Sequence, residues 1–121
     1  MADLSGVWLG TYWQEKQPVR FEMTLILGGN ALNGRILDNS YLGEASLIGE
    51  VSGYSISFTK TYLVSSRHSV YYTGKISEEG NKMQGRWKIS WFTGKWEALR
   101  NDDNLSFDKT TRQENRQPIL L

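Results

Sequence analysis

Apolar and polar residues alternate with period two along most of this chain, and glycine returns at fixed places within the alternation. The opening stretch Leu4-Ser5-Gly6-Val7-Trp8-Leu9-Gly10-Thr11-Tyr12 sets the pattern. In a strand, residues i, i+2 and i+4 share a face, so Leu4, Gly6, Trp8, Gly10 and Tyr12 line one side. The same motif, apolar-x-Gly-x-apolar, recurs as Leu32-x-Gly34-x-Ile36, Leu47-x-Gly49-x-Val51, Tyr72-x-Gly74-x-Ile76 and Met83-x-Gly85-x-Trp87, with Gly94-x-Trp96 as a shortened copy. Glycine weakens a strand unless it marks a bend or a close approach of two backbones. Inward glycines repeated from strand to strand suit a sheet that coils sharply and closes on itself.

Read in order, the alternation predicts eight strands. They span Gly6 to Trp13, Val19 to Leu27, Ala31 to Asp38, Glu44 to Val51, Tyr54 to about Thr61, Val70 to Ile76, Lys82 to Trp91 and Gly94 to Arg100. Turn chemistry separates them: a polar connection ended by Pro18, then Gly28-Gly29-Asn30, Ser52-Gly53 and Ser77-Glu78-Glu79-Gly80-Asn81. Strands so evenly spaced read as an antiparallel up-and-down meander, and closure removes its exposed edges. The expected fold is all-β, an eight-stranded antiparallel barrel over residues 1–107. The alternation then stops, and 108–121 reads as a polar tail with an apolar tip at Ile119-Leu120-Leu121.

Composition narrows the functions open to such a barrel. At 121 residues there is room for one domain and one core. Lys and Arg number 14 against 13 Asp and Glu, which removes the electrostatic case for a nucleic-acid or anionic-membrane partner. An outward basic row, Lys82, Arg86, Lys88 and Lys95, reads as a solvated face. There is no cysteine, hence no disulfide framework and no thiolate chemistry. His68 is the only histidine, so no multi-histidine metal site and no metal or other cofactor is expected. Ser65, Ser66 and Ser69 beside it lack a third group to orient a base, which speaks against an enzyme. No stretch approaches a membrane span, and Met1-Ala2-Asp3 leads directly into the first strand, so a cytoplasmic protein is expected.

Gly6-Val7-Trp8 near the start, with Arg100 leaving the last strand, resembles the signature of the calycin superfamily of lipocalins, fatty-acid-binding proteins and avidins. That resemblance implies a tryptophan lying across the closed end of the barrel with a basic residue packed over it. A guanidinium over an indole face is a favourable pair on physical grounds as well. Within the group the chain looks most like the avidins, through Gly53-Tyr54-Ser55-Ile56-Ser57-Phe58, Arg86-Trp87-Lys88-Ile89 and Lys95-Trp96-Glu97-Ala98-Leu99. Trp87 and Trp96 match tryptophans of the family's pocket. The urea-binding asparagine and serine do not carry over, because Gly10 and Gln14 stand at their positions and Tyr54 replaces a further tryptophan. Biotin binding is therefore not expected.

Strand parity and direction assign residues to the two ends. Trp8, Trp96 and Arg100 belong to the closed end. Tyr12, Asp38, Lys60, Tyr62 and Trp91 converge on the inner rim of the open end, below a loop running from Leu63 to Ser69 that holds His68. Aromatic walls with one acid and one base suit a small, partly aromatic or amphipathic ligand. Alternatively Asp38 and Lys60 bridge each other above a mouth plugged by tyrosine, since eight strands allow either a filled interior or one small ligand. Outside, Val7, Leu9, Trp13, Leu37, Ile48 and Leu99 are apolar, and such exposure marks an interface. Val7, Leu9 and Trp13 are the expected contacts of a homo-oligomer, a dimer or a dimer of dimers. Two functions follow: a non-enzymatic small-molecule carrier, or an assembly module with a filled barrel.

Overall fold

The computed structural model describes residues 3–64 and 68–101. Eight strands occupy them: β1 (Gly6–Gln14), β2 (Gln17–Gly28), β3 (Ala31–Asp38), β4 (Glu44–Ser52), β5 (Ser55–Tyr62), β6 (Ser69–Ile76), β7 (Lys82–Ile89) and β8 (Phe92–Arg100). Each pairs antiparallel with its chain neighbour, and β1 also pairs with β8 to close the barrel. The expected meander is thus present, with the coarse architecture of the calycin resemblance. Among the described residues no helix is long and apolar enough to cross a membrane. The expectations for the 108–121 tail and for Ser65 and Ser66 fall outside the described residues.

Parity holds along every strand. Trp8, Tyr12, Phe21, Met23, Leu25, Ile36, Leu47, Phe58, Tyr72, Trp87 and Trp96 are all buried in one continuous core. The inward glycines sit where two backbones meet. Gly74 pairs with Gly85, and a Cβ on Gly85 would stand 1.9 Å from the Thr73 carbonyl oxygen and 2.4 Å from Gly74 Cα. No side chain fits between walls that close, so glycine there is what lets the sheet coil.

The strand ends differ from the sequence expectation at three connections, each for a local reason. The β1–β2 connection is only Glu15-Lys16, both at positive φ (50° and 72°), so β2 begins early and includes Pro18. Proline is tolerated there because β3 first pairs with β2 at Phe21, leaving Pro18 bonded on one side only. Tyr54, expected to open the fifth strand, falls in the turn closed by the Ser52–Ser55 pair, behind Gly53 at φ 60°, and is 51% exposed. Likewise β7 ends at Ile89, which pairs with Phe92 across a turn of Ser90 (φ 57°) and Trp91. The turn interrupts the alternation and sends Trp91 into solvent, 84% exposed.

At one end the N-terminal segment folds beneath the barrel. Leu4 is fully buried, and its carbonyl accepts a 2.9 Å hydrogen bond from Trp8 Nε1. The Arg100 guanidinium lies 4.7 Å from the centre of the Trp8 ring and donates to the carbonyls of Ser5, Asp3 and Gly80. Trp8 and Arg100, both assigned to the closed end, stand together here. Trp96, assigned to the same end, lies elsewhere: the register sets it opposite Tyr12, four positions from the Trp8–Arg100 pair. Its ring packs edge-on to Phe58 and Tyr72, and its Nε1 donates to the Thr73 carbonyl.

Candidate functional site

The opposite end brings together four of the five residues expected at the inner rim. Asp38 is the last residue of β3, Lys60 and Tyr62 alternate on β5, and Tyr12 comes from β1. All four are buried, Lys60 to 1% exposure and Asp38 to 4%. Trp91, the fifth, is not part of the group because it occupies the β7–β8 turn.

Asp38 is the centre of the arrangement. Lys60 Nζ donates to both carboxylate oxygens, at 3.0 and 3.1 Å. The hydroxyls of Tyr12 and Tyr62 donate to Oδ2, at 2.9 and 2.5 Å. A fifth residue, Tyr72 on β6, accepts a 3.3 Å bond from Lys60 through its hydroxyl. The ammonium also lies over three tyrosine rings, 4.6 Å from the centroid of Tyr12, 4.7 Å from Tyr62 and 5.5 Å from Tyr72. Three π faces and a carboxylate are the components of a site for alkylammonium ions. Here the chain's own Lys60 fills it.

The electrostatics follow from that enclosure. Burial lowers the pKa of Lys60, and the adjacent Asp38 carboxylate acts in the opposite direction. Burial also raises Tyr12, Tyr62 and Tyr72 well above the ordinary phenol value, reinforced by the negative charge of Asp38 beside them. Among the described residues every buried side-chain nitrogen and oxygen has a hydrogen-bond partner. The cluster therefore holds its own charge without an outside group.

Sequence reasoning missed Tyr72 as a member, although it placed that residue inside. His68, on the loop after β5, is half-buried. The His68 ring lies 4.8 Å from that of Tyr62, and its carbonyl accepts from the Tyr62 amide. Among the described residues no group of three or more His, Asp or Glu is placed to hold a metal ion.

The outer surface divides into distinct regions. Exposed Tyr41, Leu63, Val64, Trp91 and Phe92 all lie on or beside the connections around the rim near Asp38. Of the expected interface residues, Leu9 is 47% exposed, whereas Val7 and Trp13 are half-buried. Lys95 Nζ stands 5.7 Å above the Trp13 ring, and the Trp13 carbonyl accepts from Trp87 Nε1. Across β4 to β7 the wall carries an open groove of about 450 Å³ between Glu50, Ser55, Ile56, Thr73, Lys75 and Arg86. Within it Lys75 Nζ donates to Ser55 Oγ.

No protein-family model and no curated protein matches this chain.

Proposed function

We propose that this protein is a non-enzymatic assembly module, a filled β-barrel that acts through its outer surface. One observation carries the reading: Lys60, Asp38 and the tyrosines around them occupy and neutralise the end of the lumen where a ligand's polar group would bind. A carrier needs converging groups with hydrogen-bonding capacity left over, and a ligand entering here would first have to break a buried ion pair. The avidin likeness then extends to the scaffold and not to its cargo. At Gly10, where the avidins place a urea-binding asparagine, a Cβ would stand 2.3 Å from Phe21 Cζ and 2.6 Å from the Glu97 carbonyl oxygen. The interior at that point is already filled.

Native mass spectrometry of freshly purified protein tests this reading, together with calorimetry against biotin. The expected result is the bare mass of the chain or its multiples, with no heat of biotin binding. A retained small molecule whose occupancy is lost in Asp38→Asn would overturn the filled-barrel reading in favour of a carrier.

A further inference from the structure

We propose that the wall formed by β8, β1 and β2 binds a second copy of this chain about a two-fold axis between Leu9 and Leu99. The inference rests on the assembly reading above and names the partner. Its basis is the register. Reading across the barrel perpendicular to the strands, Lys82 on β7 stands opposite Leu99, Leu99 opposite Leu9, and Leu9 opposite Glu22 on β2. All four side chains point outward and are exposed, Leu9 by 47% and Leu99 by 56%.

This row runs cation, leucine, leucine, anion, and that order is self-complementary. Consider two walls face to face, with a two-fold axis in the plane of contact, parallel to the strands and midway between Leu9 and Leu99. The rotation lays Leu9 of each copy on Leu99 of the other. It also brings Lys82 of each copy onto Glu22 of the other, because both lie one and a half strand spacings, about 7 Å, from the axis. The wall curves away from the contact at its flanks, and the long side chains of lysine and glutamate span the gap. An isologous interface requires this kind of pattern.

The ion pairs found among the described residues are Arg35 with Glu44 and Lys60 with Asp38, so neither Lys82 nor Glu22 is engaged in one within its own barrel. The apolar centre thus has opposite charges at its two flanks, the arrangement of a small interface with a polar rim. Val7 and Trp13, the other residues expected to form this contact, lie above and below the row and are half-covered within their own subunit.

Charge reversal tests the geometry without disturbing the core, since both positions are on the surface. In the proposed dimer each contact occurs twice. Lys82→Glu therefore creates two glutamate–glutamate contacts, and Glu22→Lys creates two lysine–lysine contacts. Sedimentation equilibrium of the intact chain at tens of micromolar should show a dimer. Each single reversal should weaken it by about tenfold or more. Mixing the two variants in equal amounts should restore association as a heterodimer, because both flanking contacts then pair a glutamate of one variant with a lysine of the other. A wild-type monomer, single variants that dimerise normally, or a mixture that fails to associate would each overturn the proposal. Bare-mass monomers in native spectra would remove this interface while leaving the filled barrel intact; a bound small molecule would instead remove the reading on which it rests.

Discussion

Lys60 Nζ stands within 3.1 Å of both carboxylate oxygens of Asp38, and the two side chains are 1% and 0% exposed. A pair so deeply buried is held in place more by the cost of breaking it than by its own attraction. Removing one partner leaves an uncompensated charge and costs about 3–5 kcal/mol. Because three tyrosine rings surround the ammonium, the loss should be reversible from outside. Lys60→Ala is expected to lower stability by that amount, leaving a gap shaped like n-propylammonium between Tyr12, Tyr62 and Asp38. Adding that ion should raise the melting temperature of the variant in a saturable way and leave the wild type unchanged. If n-propanol served equally well, the gap would be a simple cavity and the cation site would be refuted.

The same enclosure sets the alkaline limit of the fold. Tyr12, Tyr62 and Tyr72 have pKa values raised above 10.0 in the folded state by burial and by Asp38. Above pH 10 the unfolded chain loses these phenolic protons while the native state keeps them, so stability falls as pH rises. Each group contributes about 1.4 kcal/mol per pH unit, roughly 4 kcal/mol per unit for the three. Lys60 acts with the opposite sign. Its folded value lies below 10.5, so it adds stability as pH climbs toward 10.5, one group against three. Chemical denaturation between about pH 9 and pH 11.5 should show a steep loss. Tyr72→Phe, which removes only the 3.3 Å bond to Lys60, should reduce that slope by about a third. An unchanged slope would remove Tyr72 from the account.

The face each residue presents was legible in the sequence because strand periodicity is strictly two, and Asp38, Lys60, Tyr62 and Tyr12 follow from that rule alone. The rule fails where chain direction changes. Tyr54 and Trp91 continue the alternation along the sequence, but each occupies a two-residue turn that lies outside the strand. Nor does the rule give height along the barrel axis. Closure staggers neighbouring strands, so Trp96 lies beside Tyr72 and Phe58 rather than beneath Trp8, and Tyr72 reaches Lys60 although Val70 is its direct partner. These relations depend on the register of the whole ring, which no single strand encodes.

Glycine placement gives a sharp contrast. Alanine at Gly85 would drive its methyl group into the Thr73 carbonyl and the Gly74 backbone, neither of which can rotate away. Gly85→Ala is expected to cost about 3 kcal/mol, the upper range for overpacking, by forcing β6 and β7 apart. At Gly28 an added methyl would meet no atom within 4 Å, and the backbone there is not left-handed. Gly28→Ala should therefore be neutral or gain up to about 1 kcal/mol. Urea midpoints measured side by side decide this. Equal losses at both positions would mean that the glycines do not mark the close approaches of the wall.

Two tryptophans separate the closed end from the rim. Trp8 is fully buried, stacked under Arg100 and bonded to the Leu4 carbonyl, whereas Trp91 is 84% exposed on a hairpin tip beside Phe92. Trp8→Ala removes a large aromatic from the core and leaves the Arg100 guanidinium without its ring, so a loss of about 3–5 kcal/mol is expected. Trp91→Ala removes a side chain with little packing to lose and should change stability by less than about 0.5 kcal/mol. Fluorescence distinguishes them further. Iodide should quench a component that disappears in Trp91→Ala and persists in Trp8→Ala under native conditions. A urea midpoint unmoved by Trp8→Ala would show that the Trp8–Arg100 stack does not close the barrel.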